Sequence, residues 1–216
     1  KKAINTTYSL FEGPDSDEDD LYTYIERLRK SFRVSAVGTI RRGSPSFQIV
    51  MRTIPSEPIP FNKLGLDEVF VRRCCPTDGI VLVAGVTGSG KSTTLASIIR
   101  YILENDTPIK GNIITHEEPI EYTYDTINST HSIVEQSQIP ENFESFYAAN
   151  REALRRKPAA ILVGELRDTE TISSAIEASL TGHPVFATVH AGSITDIVTR
   201  LVGKFESNKN TALLDI

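Results

Sequence analysis

The sequence predicts an α/β protein: a parallel sheet covered by helices, preceded by a smaller part with antiparallel strands. Three observations predict it. From Gly79 onward, apolar strand-sized runs (80–84, 112–115, 160–163, 184–189) alternate with helical stretches (91–104, 143–156, 168–180, 195–205). Fully apolar strands separated by helices are buried on both faces, which is the signature of a parallel sheet. Upstream, residues 32–40 and 47–54 alternate apolar and polar side chains around the turn Arg42-Gly43-Ser44-Pro45, the pattern of an antiparallel hairpin. Third, a glycine-rich segment, 85–90, lies between the strand-like run 80–84 and the helical run that begins at Lys91.

Taken in order, the chain opens on Lys1, and its one methionine is Met51, so a piece of a longer product is expected. The 216 residues are 39% hydrophobic and 24% charged, with a formal charge of −5, which fits a globular chain and argues against a general nucleic-acid coat. No apolar run approaches the roughly 18 residues of a membrane span, and no secretory leader pattern is expected. The acidic run 15–20 reads as a solvated loop. Residues 21–28 are open between two readings. Leu21, Tyr24, Ile25 and Leu28 make a helical stripe, whereas their aromatic and β-branched content suits a strand. Three prolines in 55–60 make a linker, and 62–75 is expected to be one helix ending before Pro76. The expected division is therefore 1–56, 57–76 and 77–216, with 208–216 cut in mid-structure. Cys74 and Cys75 are adjacent in sequence, too strained for a bridge to each other and lacking zinc-type spacing, so they read as reduced thiols near a helix end, consistent with a reducing cytoplasm.

Chemistry concentrates at the expected strand exits. Gly85-Val86-Thr87-Gly88-Ser89-Gly90-Lys91-Ser92 matches G-x-x-x-x-G-K-[ST] without deviation. Glycines let the backbone curl into a ring of N–H groups that face phosphate oxygens together with the helix N-terminus. Lys91 would neutralise the β- and γ-phosphates and the Ser92 hydroxyl would ligate Mg²⁺. Ile161-Leu162-Val163-Gly164 leads into Glu165, a strand-end carboxylate able to orient or deprotonate water. His116-Glu117-Glu118 closes another strand and brings further carboxylates towards the same crevice. His190 ends a third strand and could donate to a γ-phosphate. His183, after Gly182, suits a helix C-terminus.

In this order, these residues resemble the type II/IV secretion-system traffic ATPases, which include the pilus-retraction motors. Four segments carry the resemblance: the phosphate loop; 115–121, similar to the family's Asp box; 161–171, similar to its Walker B segment; and 180–190, similar to its His box. Residues 32–36 and 51–56 resemble the family's N-terminal domain. The run Thr181-Gly182-His183-Pro184, followed by 198–202, looks closest to the Dot/Icm and conjugal-transfer (type IVB) branch. The resemblance implies a RecA-like ATPase domain, truncated at its C-terminus, behind a truncated α+β PAS-like domain, and it favours a strand at 21–26. It implies a cytoplasmic homohexamer, peripheral to the bacterial inner membrane, that works with secretion or pilus platform proteins and contacts no nucleic acid directly. By position, Gly85, Thr87, Gly88, Ser89, Gly90, Lys91, Ser92 and Thr93 would bind ATP and Mg²⁺. Glu165 would be the catalytic acid and a metal contact, Glu117 would polarise water and His190 would sense the γ-phosphate. Arg33 and Arg52 would contact phosphates across a domain or subunit boundary. One departure stands out. Ala159 occupies the position of the usual Walker B acid, implying weaker metal binding and motivating a rival reading, an assembly scaffold with little or no turnover. A DNA-handling enzyme rests only on Arg151, Arg155, Arg156 and Lys157, and a GTPase lacks its N-K-x-D motif after the loop.

Overall fold

A computed structural model of the chain describes residues 4–10, 30–55 and 57–207. The expectations for 15–20, 21–28 and 208–216 lie outside the described residues. The chain divides into two compact units, Lys1–Pro58 with Pro119–Thr126, and Ile59–Glu118 with Ile127–Ile216.

In the first unit, β1 (Ile4–Leu10), β2 (Lys30–Arg41) and β3 (Ser44–Ile54) form an antiparallel sheet in that order. The β2–β3 hairpin turns through Arg42 and Gly43, both at positive φ (52° and 78°), the conformation that matches the right-handed twist of the strands. Its register sets Arg33 directly opposite Arg52. Facing like charges repel, and the Arg33 guanidinium has an acidic partner, Glu121 Oε1 at 3.4 Å.

The second unit begins with a departure from expectation. Residues 62–75 do not form one helix. A short 3-10 turn, Phe61–Leu64, stops at Gly65 in the left-handed region (φ 72°). The helix α1 (Glu68–Arg73) then starts afresh, its N-terminus capped by Asp67, whose carboxylate accepts from the Val69 and Phe70 amides. Cys74 ends α1, and both cysteines are free thiols. Burial pushes the Cys75 thiol up to about 12, with the neighbouring Cys74 charge adding to it.

From Gly79 the alternation of strands and helices follows the expected order: β4 (Gly79–Ala84), α2 (Lys91–Glu104), β5 (Gly111–Glu117), β6 (Ser132–Gln138), α3 (Phe146–Ala153), β7 (Pro158–Val163), α4 (Thr169–Leu180), β8 (Pro184–Val189) and α5 (Ile194–Ser207). Strand β6 had no expectation; every other strand of this sheet begins within two residues of the sequence reading. All five strands are parallel, in the order β4-β8-β7-β5-β6. Strands β7 and β8 are buried almost throughout. On one face, Ile114, Ile161, Val163, Val185 and Ala187 meet Phe146, Ala149 and Ala153 of α3 and Ile172, Ala175 and Ala178 of α4. Strand residues alternate faces, so Ile113, Leu162 and Phe186 turn to the opposite side. There α2 packs against β4 and β8 with Leu95, Ile98, Ile99 and Ile102 buried. No helix among the described residues is long and apolar enough to cross a membrane.

Candidate active site

Because the strands are parallel, their C-terminal ends share one edge of the sheet. Along that edge, β4 delivers the glycine loop, β8 delivers His190, β7 delivers Glu165, and β5 delivers Glu117 and Glu118.

The loop Gly85 to Gly90 connects β4 to α2. Its start is tied to the sheet, the Gly85 amide donating to Val189 O at 3.3 Å. Gly88 and Gly90 hold φ of 78° and 88°, conformations that side chains rarely adopt. A Cβ at Gly85 would run into the Ser89 side chain, so any larger residue there would push Ser89 aside. Gly90 is the N-cap of α2 and brings no side chain to cap it. An uncapped helix N-terminus behind a glycine curl suits a phosphate. Lys91, Ser92 and Thr93 form the first turn of α2. Lys91 is buried, and its Nζ donates to the loop's own Val86 carbonyl at 3.0 Å. Thr87 lies at the exposed tip.

Glu165 follows Gly164, and Gly164 is the position of close approach between strands. A Cβ there would sit 3.1 Å from His116 O and 3.3 Å from Glu117 Cα, and its amide donates to His116 O at 2.8 Å. The Glu165 carboxylate is gripped from both sides. Oε2 accepts from Arg167 Nε at 2.8 Å, and Oε1 lies 3.4 Å from His190 Nε2. Arg167 also donates through Nη1 to Glu118 Oε2 at 2.7 Å. Burial pulls the Arg167 guanidinium down, yet the hydrogen bonds and charges of Glu165 and Glu118 outweigh it and hold its pKa above the ordinary value. Glu117 is placed differently: its Oε1 accepts from Thr115 Oγ1 at 2.7 Å and Gln136 Nε2 at 3.0 Å.

Thus one sheet edge gathers the loop, Lys91, Ser92, Thr93, Glu117, Glu165 and His190, while Arg33 and Arg52 belong to the first unit. Arg167 was missed as a site residue, and Glu118, expected near the crevice with its neighbouring carboxylates, was given no role of its own. Both were visible in the strand-exit segments, but no motif gives a role to a basic residue two places after the strand-end acid. His183 sits at the end of α4, its amide donating to Ala178 O at 3.2 Å. The basic cluster is divided: Arg151 lies over the Tyr147 ring, and Arg155 pairs with Glu152. Among the described residues no group of three or more His, Cys, Asp or Glu could hold a metal ion. A Mg²⁺ at Ser92 would therefore take most of its ligands from phosphate oxygens and water, its usual preference.

The family described as type II/IV secretion system protein matches residues 16–209. This chain belongs to that family. The type IV pilus retractation ATPase PilT of Pseudomonas aeruginosa is 42% identical over 178 residues, 82% of this chain and 49% of that protein. Among solved structures, the ATPase DotB of Yersinia pseudotuberculosis superposes with a TM-score of 0.82 at 49% identity, over 98% of this chain and 53% of the other. The pilus retraction motor PilT with bound ADP gives 0.73 at 36% identity, over 93% and 51%. The chain spans about half the length of these relatives.

For this family member, the structure overturns the inference drawn from Ala159. Ala159 is the second residue of β7 and lies at the strand's N-terminal end. Five residues at about 3.3 Å each separate it from Gly164, roughly 16 Å along the strand. An acid at 159 would stand at the opposite edge of the sheet, so its absence removes no metal ligand, and the scaffold reading loses the observation that motivated it.

Proposed function

We propose that this chain binds ATP with Mg²⁺ and hydrolyses it as the core of a homohexameric motor that powers type IV secretion, conjugation or pilus dynamics at the bacterial inner membrane. The observation that carries the reading is the uncapped, glycine-curled N-terminus of α2, set on the same sheet edge as Glu165 and His190. The ATPase names of the relatives and the ADP bound to the PilT structure support it.

In this reading, the amides of Gly85, Thr87, Gly88, Ser89 and Gly90 and those of the first turn of α2 surround the phosphates. Lys91 exchanges its Val86 carbonyl for the β- and γ-phosphate oxygens. Mg²⁺, held by Ser92 and through water by Glu165, would draw negative charge off those oxygens. Glu165 takes the proton of the attacking water, a step general bases speed by roughly 10²–10⁴-fold. Contacts on both of its oxygens orient it for this task. His190 stands between the loop and Glu165 and contacts the γ-phosphate. Glu117, fixed by Thr115 and Gln136, polarises water from the next strand. Arg33 and Arg52 bring further positive charge to the phosphoryl group. Loss of the γ-phosphate would release these contacts together, and that release would drive the motor.

Glu165→Gln in the full-length protein tests the assignment. Binding of a fluorescent ATP analogue should be retained while steady-state phosphate release falls by roughly 10²-fold or more. Undiminished release would remove Glu165 from the mechanism.

A further inference from the structure

Arg167 joins two carboxylates that reach it from different strands. Its Nε meets Glu165 Oε2 at 2.8 Å, two residues back, and its Nη1 meets Glu118 Oε2 at 2.7 Å, at the exit of β5. The backbone between Glu165 and Arg167 is pinned. Leu166 is buried, and its amide donates to Thr188 O at 3.0 Å. One residue further, Asp168 caps α4 by accepting from the Thr171 amide at 2.8 Å. Glu165 and Arg167 therefore project from a fixed stretch of chain, and the freedom left to Glu165 is the rotation of its own side chain.

We propose that Arg167 is the positioning residue for Glu165: anchored on Glu118, it holds Oε2 so that Oε1 stays on the His190 side of the crevice. The proposal rests on the hydrolytic reading above. Stability is a poor explanation for the bridge. Arg167 is 48% exposed and Glu118 40% exposed, and ion pairs in such settings contribute little to folding. Orientation is what a planar guanidinium supplies, because its fork fixes the direction of two acceptors at once. Lysine offers a single point charge and cannot reproduce that geometry. Without Arg167, Glu165 keeps its His190 contact, and Oε2 loses the donor that fixes the plane of the carboxylate.

Steady-state phosphate release, affinity for a fluorescent ATP analogue and thermal melting are measured on the full-length protein and on Arg167→Ala, Arg167→Lys, Glu118→Gln and the Arg167→Ala/Glu118→Gln pair. Arg167→Ala should lower kcat by roughly 10- to 100-fold, the scale of a misplaced catalytic group. KM for ATP, analogue affinity and melting temperature should stay close to wild type. Arg167→Lys should recover part of the loss. Glu118→Gln should lower kcat less than Arg167→Ala, and the pair should be no slower than Arg167→Ala alone, since both act through one contact. Wild-type kcat in Arg167→Ala overturns the proposal, as does a loss of kcat matched by equal losses of affinity and melting temperature. A wild-type protein that binds the analogue but releases no phosphate overturns the hydrolytic reading instead, and the positioning role falls with it.

Discussion

The two edges of the parallel sheet differ in what they are made of. At the edge where strands begin stand Gly79, Gly111, Ser132, Pro158 and Pro184. These are residues that bend or stop a backbone, and proline is tolerated at the first position of a strand. At the edge where strands end stand a glycine loop with its lysine, His190, Glu165, and the pair Glu117 and Glu118. Both edges belong to the same strands with the same buried middles. Parallel topology gathers chain segments distant in sequence at both edges, and the crevice suited to a ligand opens at the edge where they leave the sheet. Ala159 shows the converse, since a residue in the very strand that delivers the acid is remote from the site when it sits at the wrong end.

The largest effect that could break this contrast lies in the loop. Lys91→Ala should lower ATP hydrolysis on the order of 10²–10³-fold, the cost of deleting one preorganised positive donor, and weaken binding of a fluorescent ATP analogue. Retained turnover would mean that the exit edge is not where phosphate is held. A smaller effect concerns the sheet's interior. His116, fully buried one residue before the exit of β5, has neither ring nitrogen hydrogen-bonded. Burial first, and the Arg156 charge second, lower its pKa from 6.5 to about 4, against a smaller opposing pull from the Ala149 backbone. The unfolded chain thus takes up this proton at a higher pH than the folded one. Stability is full above about pH 6.5 and falls as the pH drops towards 4, by about 3 kcal/mol at roughly 1.4 kcal/mol per unit. Urea unfolding of the wild type and of His116→Leu at several pH values measures it. The wild type should lose stability relative to His116→Leu on acidification, and a constant difference between the two would mean that the ring titrates normally. The smallest effect belongs to the other edge. Ala159→Asp should leave kcat within about twofold, the scatter expected of a substitution remote from the chemistry, and a large gain would put that edge in contact with the site.

Much of this was legible in the sequence, for physical reasons that also explain what was not. The run 184–189 gave a strand of the observed length because a strand buried on both faces needs continuous apolar side chains. The loop and α2 were legible because a phosphate curl demands particular residues at particular spacings. Strand β6 was not. It is an edge strand with Ile133 and Glu135 exposed, and half-solvated polar residues leave no run to read. The expected helix 62–75 failed because Gly65 accepts a left-handed turn and Asp67 starts a new helix; the aspartate could have signalled the break. Within the site, Glu165 could be placed by its strand, whereas the Arg167 bridge to Glu118 joins residues 49 apart, a pairing that no local pattern records.

The hydrogen bond from Lys91 to the Val86 carbonyl has a consequence for selectivity. The Val86 carbonyl takes one of the three N–H donors of the ammonium and holds the side chain against the loop, so two donors stay open to a ligand. A group with several oxygens on one centre, such as a phosphate, would take both at once, whereas a single hydroxyl or carbonyl would take one.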